Sequence, residues 1–222
     1  MKLFLKTSLL FLGLWVSEMT QAGVQLSVYG GGNNAFDSVV KYSNNGSPVS
    51  NTVHWVGEPF QDPPYYGVRG IYWFDTPRYR AWGLGLDYTH AKVVADPLPP
   101  GYTHLEFTDG LNLATADLFY HYLNHTLFTP YAGLGVGVSI PHVEENTEAP
   151  LFPCHTFDYQ IGGVALAFLT GVDVKIWHGL SLFGEYKLNY SQNNTNLSKG
   201  QTLSTDLWVN NFIFGISYLF LF

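Results

Sequence analysis

Residues 206–222 read DLWVNNFIFGISYLFLF, and their parity decides the fold. Trp208, Asn210, Phe212, Phe214, Ile216, Tyr218, Phe220 and Phe222 fall on one side of a period of two, with Asn211, Ile213, Gly215, Ser217 and Leu219 on the other. A strand this long and this aromatic is an aggregation hazard in water. Hydrocarbon solvates no backbone amide or carbonyl, so a strand that crosses it must belong to a closed sheet. A closing strand at this end of the chain predicts a pairing partner near the other end.

The opening residues have the organisation of an export signal. Lys2 and Lys6 precede an apolar run over 9–16, and Thr20-Gln21-Ala22 sets small residues around a cleavage point after Ala22. The run is too short to anchor in a membrane. The expected organisation is therefore a signal peptide over 1–22 and one barrel domain over 23–222. Cleavage takes the formal charge from −7 to −8 and leaves no basic stripe, which argues against nucleic acid as a partner and suits a surface that holds divalent cations. Cys154 is the only cysteine, so no internal disulfide framework exists. Charged residues make up 12% of the chain, too few for an ordinary soluble surface, and no uninterrupted apolar stretch after the signal has helical spanning length.

Alternation marks strands at 24–32, 65–74, 82–94, 112–123, 129–140, 159–176, 180–190 and 206–222. Long polar connections alternate with short turns between them. The fold class predicted is all-β, an eight-stranded antiparallel transmembrane β-barrel with long extracellular loops and short periplasmic turns, monomeric, in a bacterial outer membrane. The terminal Tyr218, Phe220 and Phe222 also resemble the C-terminal assembly signal of such barrels. Gly133, Gly135 and Gly137 lie within strict alternation with no helix behind them, so they read as small lumen residues rather than a nucleotide-binding turn. Arg69, Asp87, Asp117, Asp173, Glu185 and Lys187 take inward parity and are expected to pair within a lumen too narrow for a water channel.

Chemistry is expected at the outer ends of the strands. His90 and Lys92 share the outward parity of Tyr88, which predicts contact with outer-leaflet sugars and phosphates, with Lys92 holding a lipid phosphate or simply snorkelling. The stretch THLEFTDGLN at 103–112 places His104, Glu106, Thr108 and Asn112 on one side if extended, with a turn at Asp109-Gly110. A carboxylate there is either a general base or a metal ligand, or part of a solvated loop. His142 and Glu144, two apart, face the same way, and nitrogen and oxygen donors of this kind suit Zn, Mn or Fe. No Ser-His-Asp arrangement falls at one rim, which disfavours a hydrolase.

Several segments resemble the rhizobial outer-membrane lipid A oxidases: PPYYGVR at 63–69 with Tyr72-Trp73-Phe74, DYTHAKV at 87–93, LEFTDGLN at 105–112, TPYAG at 129–133, PHVE at 141–144 and FGEYK at 183–187. The likeness runs from about Val53 onward; the first loop and the residues around Cys154 lack it. It implies an enzyme that oxidises the proximal glucosamine of lipid A to 2-aminogluconate, with molecular oxygen as electron acceptor, hydrogen peroxide as product and divalent cations involved. No flavin or nicotinamide fingerprint is present, so this activity calls for a redox-capable metal ion. The residues expected to build the site are His90, Glu106 and Asp109 for catalysis, Lys92 for substrate, and His142 and Glu144 for metal. The competing expectation is a non-catalytic barrel with a structural or adhesive role.

Overall fold

The computed structural model describes residues 22–44, 47–149, 151 and 153–222. Apart from Ala22, the expected signal peptide lies outside the described residues. Among them are twelve strands: β1 (Gly23–Ala35), β2 (Ser38–Asn44), β3 (Ser47–Val53), β4 (Trp55–Gly57), β5 (Tyr66–Trp73), β6 (Trp82–Ala95), β7 (Tyr102–His121), β8 (Phe128–Thr147), β9 (Cys154–Tyr159), β10 (Gly163–Trp177), β11 (Leu180–Asn196) and β12 (Thr202–Leu221). A short 3-10 turn, Ser198–Gly200, links the last two.

Eight of these strands close a ring in the order β1, β5, β6, β7, β8, β10, β11, β12. The seam is β1 against β12, antiparallel from Gly23 opposite Leu221 to Ala35 opposite Val209. Closure leaves no open edge within the ring, as hydrocarbon demands. The parity follows the expected pattern. Phe212, Phe214 and Ile216 are exposed on β12 while Asn211, Ile213 and Ser217 are buried; Leu26 and Val28 face outward on β1 while Gln25, Ser27 and Tyr29 face the lumen.

The lumen is filled. Arg69 is held by Asp87 and Glu185, each with an oxygen 2.7 Å from the guanidinium, and Lys187 Nζ lies 2.7 Å from Asp87. Tyr131 donates its hydroxyl to Glu185. Two of the six charges expected in this network stand apart. Asp173 sits 3.2 Å from His121, nearer the end with the short turns. Among the described residues Asp117 makes no salt bridge, and it packs over Gly135, where an added Cβ would collide with its carboxylate. The small lumen residues thus leave room for side chains from the neighbouring strand.

The long connections depart most from the sequence reading. β7 begins at Tyr102 rather than near 112, β8 runs on to Thr147, β11 to Asn196, and β12 begins at Thr202. The first connection is no bare loop. It contains the hairpin of β2 and β3, which extends the sheet beside β12, and β4, which pairs with β6. In the same way β9 pairs with the end of β8. Above the belt the outer face no longer meets hydrocarbon, so alternation fades there. The inner face stays apolar, and Tyr42, Trp55, Leu105, Phe107, Val143 and Leu203 form a buried core over the lumen.

Candidate functional site

On β8 the outward residues run Leu134, Val136, Val138, Ile140, then His142 and Glu144. The first four form part of the apolar exterior; the next two begin a polar patch at the end of the barrel that carries the long connections. Opposite them, β7 brings Glu106 directly across from Glu144. His104, one outward step further on, lies with Nε2 3.1 Å from Glu106 Oε1 and 3.7 Å from Glu144 Oε2.

A bulge completes the patch. Between Glu106 and Leu111 β7 uses two more residues than β8 does between Glu144 and Pro141, and the extra length throws Asp109 outward. Gly110 takes φ +112 in this bulge, and an added Cβ would press on the imidazole of His90. Asp109 Oδ2 comes to 3.7 Å from His142 Nδ1, whose other neighbour is Glu144 Oε1 at 3.3 Å. His142 is held edge-on by Phe157 and tilted against Tyr159, both from β9. The Tyr159 hydroxyl donates to the Asp109 carbonyl.

Asn112 ties the bulge to the barrel wall. Its amide nitrogen donates to the carbonyls of Asp109, Gly110 and Ile140, while its oxygen accepts from the Tyr88 hydroxyl at 2.6 Å. His90 Nδ1 lies 2.9 Å from the same oxygen. An amide oxygen only accepts, so Nδ1 of the neutral ring carries the hydrogen and Nε2 keeps its lone pair. Nε2 is buried and, among the described residues, makes no well-aligned hydrogen bond, with the Pro63 carbonyl also against the ring. Tyr66 stacks on the ring at 4.8 Å between centroids.

Of the expected site residues, the structure gathers Glu106, Asp109, His142 and Glu144 into one patch and places His90 behind Asp109 through Asn112. It adds His104, whose signal was its position two before Glu106 on the same side. Lys92 departs from expectation. It is 3% exposed rather than presented to lipid phosphates. Its ammonium donates to the Asp62 carbonyl in the connection that follows β4.

His104, Glu106 and Glu144 form one set whose donor atoms could hold a metal ion, and Asp109, His142 and Glu144 form a second. The donor types fit a divalent transition ion. His142 Nδ1 points to the same conclusion: it is buried between carboxylate oxygens at 3.3 and 3.7 Å yet makes no well-aligned hydrogen bond among the described residues, and such an atom is costly unless something ligates it.

The chain is similar in fold to solved outer-membrane barrels. It shares 16% identity with the outer membrane protein OprG from Pseudomonas aeruginosa, over 91% of this chain and 98% of that one, with a TM-score of 0.59. Against the outer membrane protein AlkL, solved in DMPC lipid bilayers, identity is 14% over 100% of this chain and 98% of that one, with a TM-score of 0.52. No protein-family model matches the chain, and no curated protein matches it. The fold is that of a bacterial outer-membrane β-barrel, and its apolar exterior requires a bilayer.

Proposed function

We propose that this barrel oxidises the proximal glucosamine of lipid A to 2-aminogluconate with molecular oxygen, at the patch built from β7 and β8. The observation that carries the reading is where the donors sit. His104, Glu106, Asp109, His142 and Glu144 lie on the outside wall, one step beyond the last apolar residues, and not in the lumen. Sugars of lipids in the outer leaflet occupy that level, so the substrate reaches the patch without leaving the membrane. Below it, Ala114 and Ala116 form the floor of a shallow trough between Leu86 on one side and Val136 and Val138 on the other, suited to an acyl chain.

Oxidation of the sugar hemiacetal removes the hydrogen on C1 and the hydroxyl proton, giving a lactone; oxygen takes the two electrons and two protons and leaves as peroxide. Water then opens the lactone to the acid. A bound metal ion supplies the one-electron chemistry toward oxygen that no side chain here provides. The protein's own contribution to proton removal is His90 Nε2, kept as an acceptor by the bond from Nδ1 to Asn112. Tyr66 covers that ring, and the lipid must displace it to engage the base. Lys92 is left out of this reading, since the Asp62 carbonyl already holds its ammonium.

The test is peroxide release and mass spectrometry of the lipid product from purified barrel incubated with 1-dephosphorylated lipid A. Product is expected with the intact protein, and at least a hundredfold less after chelation or in Glu106→Ala and His142→Ala. No product from the metal-loaded protein favours a non-catalytic barrel, and undiminished product from both variants removes this patch from the reaction.

A further inference from the structure

We infer that the patch holds two metal ions, bridged by the carboxylate of Glu144. This rests on the metal part of the proposed function and deepens it. The two donor sets share Glu144 and nothing else. Its two oxygens divide between them: Oε2 faces His104, at 3.7 Å, and Oε1 faces His142, at 3.3 Å. A carboxylate used on both oxygens spans two cations about 3.5–4 Å apart, the separation found in two-metal sites. One ion would take His104 Nε2, Glu106 Oε1 and Glu144 Oε2. The other would take Asp109 Oδ2, His142 Nδ1 and Glu144 Oε1.

A second observation points to a ligand. The side chain of His142 is 2% exposed, its Nδ1 makes no hydrogen bond among the described residues, and that atom is aimed at the gap between Asp109 and Glu144. Phe157 and Tyr159 pack against the ring, each with its centroid 4.3 Å away. Each position has one open side: the His104 side chain is 40% exposed at the first and the Asp109 side chain 40% exposed at the second, so either keeps room for an exchangeable ligand such as a sugar hydroxyl.

The experiment is a titration of chelator-stripped barrel in detergent micelles with Mn2+, followed by metal counting and electron paramagnetic resonance. Wild type is expected to bind two Mn2+ per chain, with the six-line signal of the first ion replaced by an exchange-coupled spectrum as the second binds. His104→Ala is expected to bind one Mn2+ and keep the uncoupled signal. Glu144→Gln is expected to weaken both positions at least tenfold, with folding checked by the mobility shift of unheated protein in detergent gels. Saturation of wild type at one Mn2+, or two ions that survive Glu144→Gln unchanged, overturns the inference. Lipid oxidation with a single ion would sink this proposal alone, whereas two coupled ions without lipid oxidation would sink only the proposed activity.

Discussion

Asn112 is the residue through which the bulge, the wall and His90 act together, because its amide satisfies three carbonyls and its oxygen serves two donors. Asn112→Ala strands those groups in a place closed to water, and we expect a loss of about 1–3 kcal/mol in unfolding free energy, measured by denaturant titration in micelles. Asn112→Asp is the more informative change. It keeps the acceptor for His90 Nδ1 but adds a negative charge, which favours the imidazolium over the neutral ring. If His90 is the base, the acidic limb of the rate profile moves to higher pH, since the base is then lost at a less acid pH than in wild type. An unmoved limb with normal substrate affinity would assign His90 to packing only.

The ring was legible at the level of its strands because, within the belt, one face meets hydrocarbon and the other a packed lumen, and residues such as Phe212 and Asn211 have to alternate. Beyond the belt that contrast disappears. The legible alternation accordingly stops near Ile140, although β8 continues to Thr147. Parity also has no access to connections that fold against a strand, and this is why Lys92 is expected at the surface while the connection after β4 brings the Asp62 carbonyl onto its ammonium. Asp109 has the opposite problem. Its odd number places it with lumen-facing Leu105 and Phe107, and only the bulge turns it outward. Gly110→Ala tests the bulge as an element. The new methyl meets His90 Nδ1 at 2.3 Å in a backbone conformation unfavourable for alanine. We expect about 1–3 kcal/mol of destabilisation and at least a tenfold loss of Mn2+ affinity, while the barrel keeps its gel mobility. Deleting residues 38–53, the β2–β3 hairpin, should also leave the ring folded, because the seam of β1 and β12 closes without it.

At the scale of the whole molecule, the filled lumen and the core above it determine what the barrel cannot do. Arg69 lies between Asp87 and Glu185 with its side chain 2% exposed, Lys187 leans on Asp87 from across the ring, and Phe107 and Trp55 close the space above. An eight-stranded ring has room for such side chains or for water, and here it has the side chains. Reconstituted into planar bilayers, the protein is therefore expected to give no channel currents; discrete steps of conductance would contradict the packing. The same network makes Arg69 costly to remove, because Arg69→Ala leaves two carboxylates buried with Lys187 as their one remaining cation nearby. Breaking a buried pair in this way costs about 3–5 kcal/mol, so the variant should unfold at markedly lower denaturant. Replacing Arg69, Asp87, Glu185 and Lys187 together by apolar residues of similar volume should recover most of that loss. If it does, the charges are not what holds the ring closed. The backbone seam and the lipid-facing wall then carry that role.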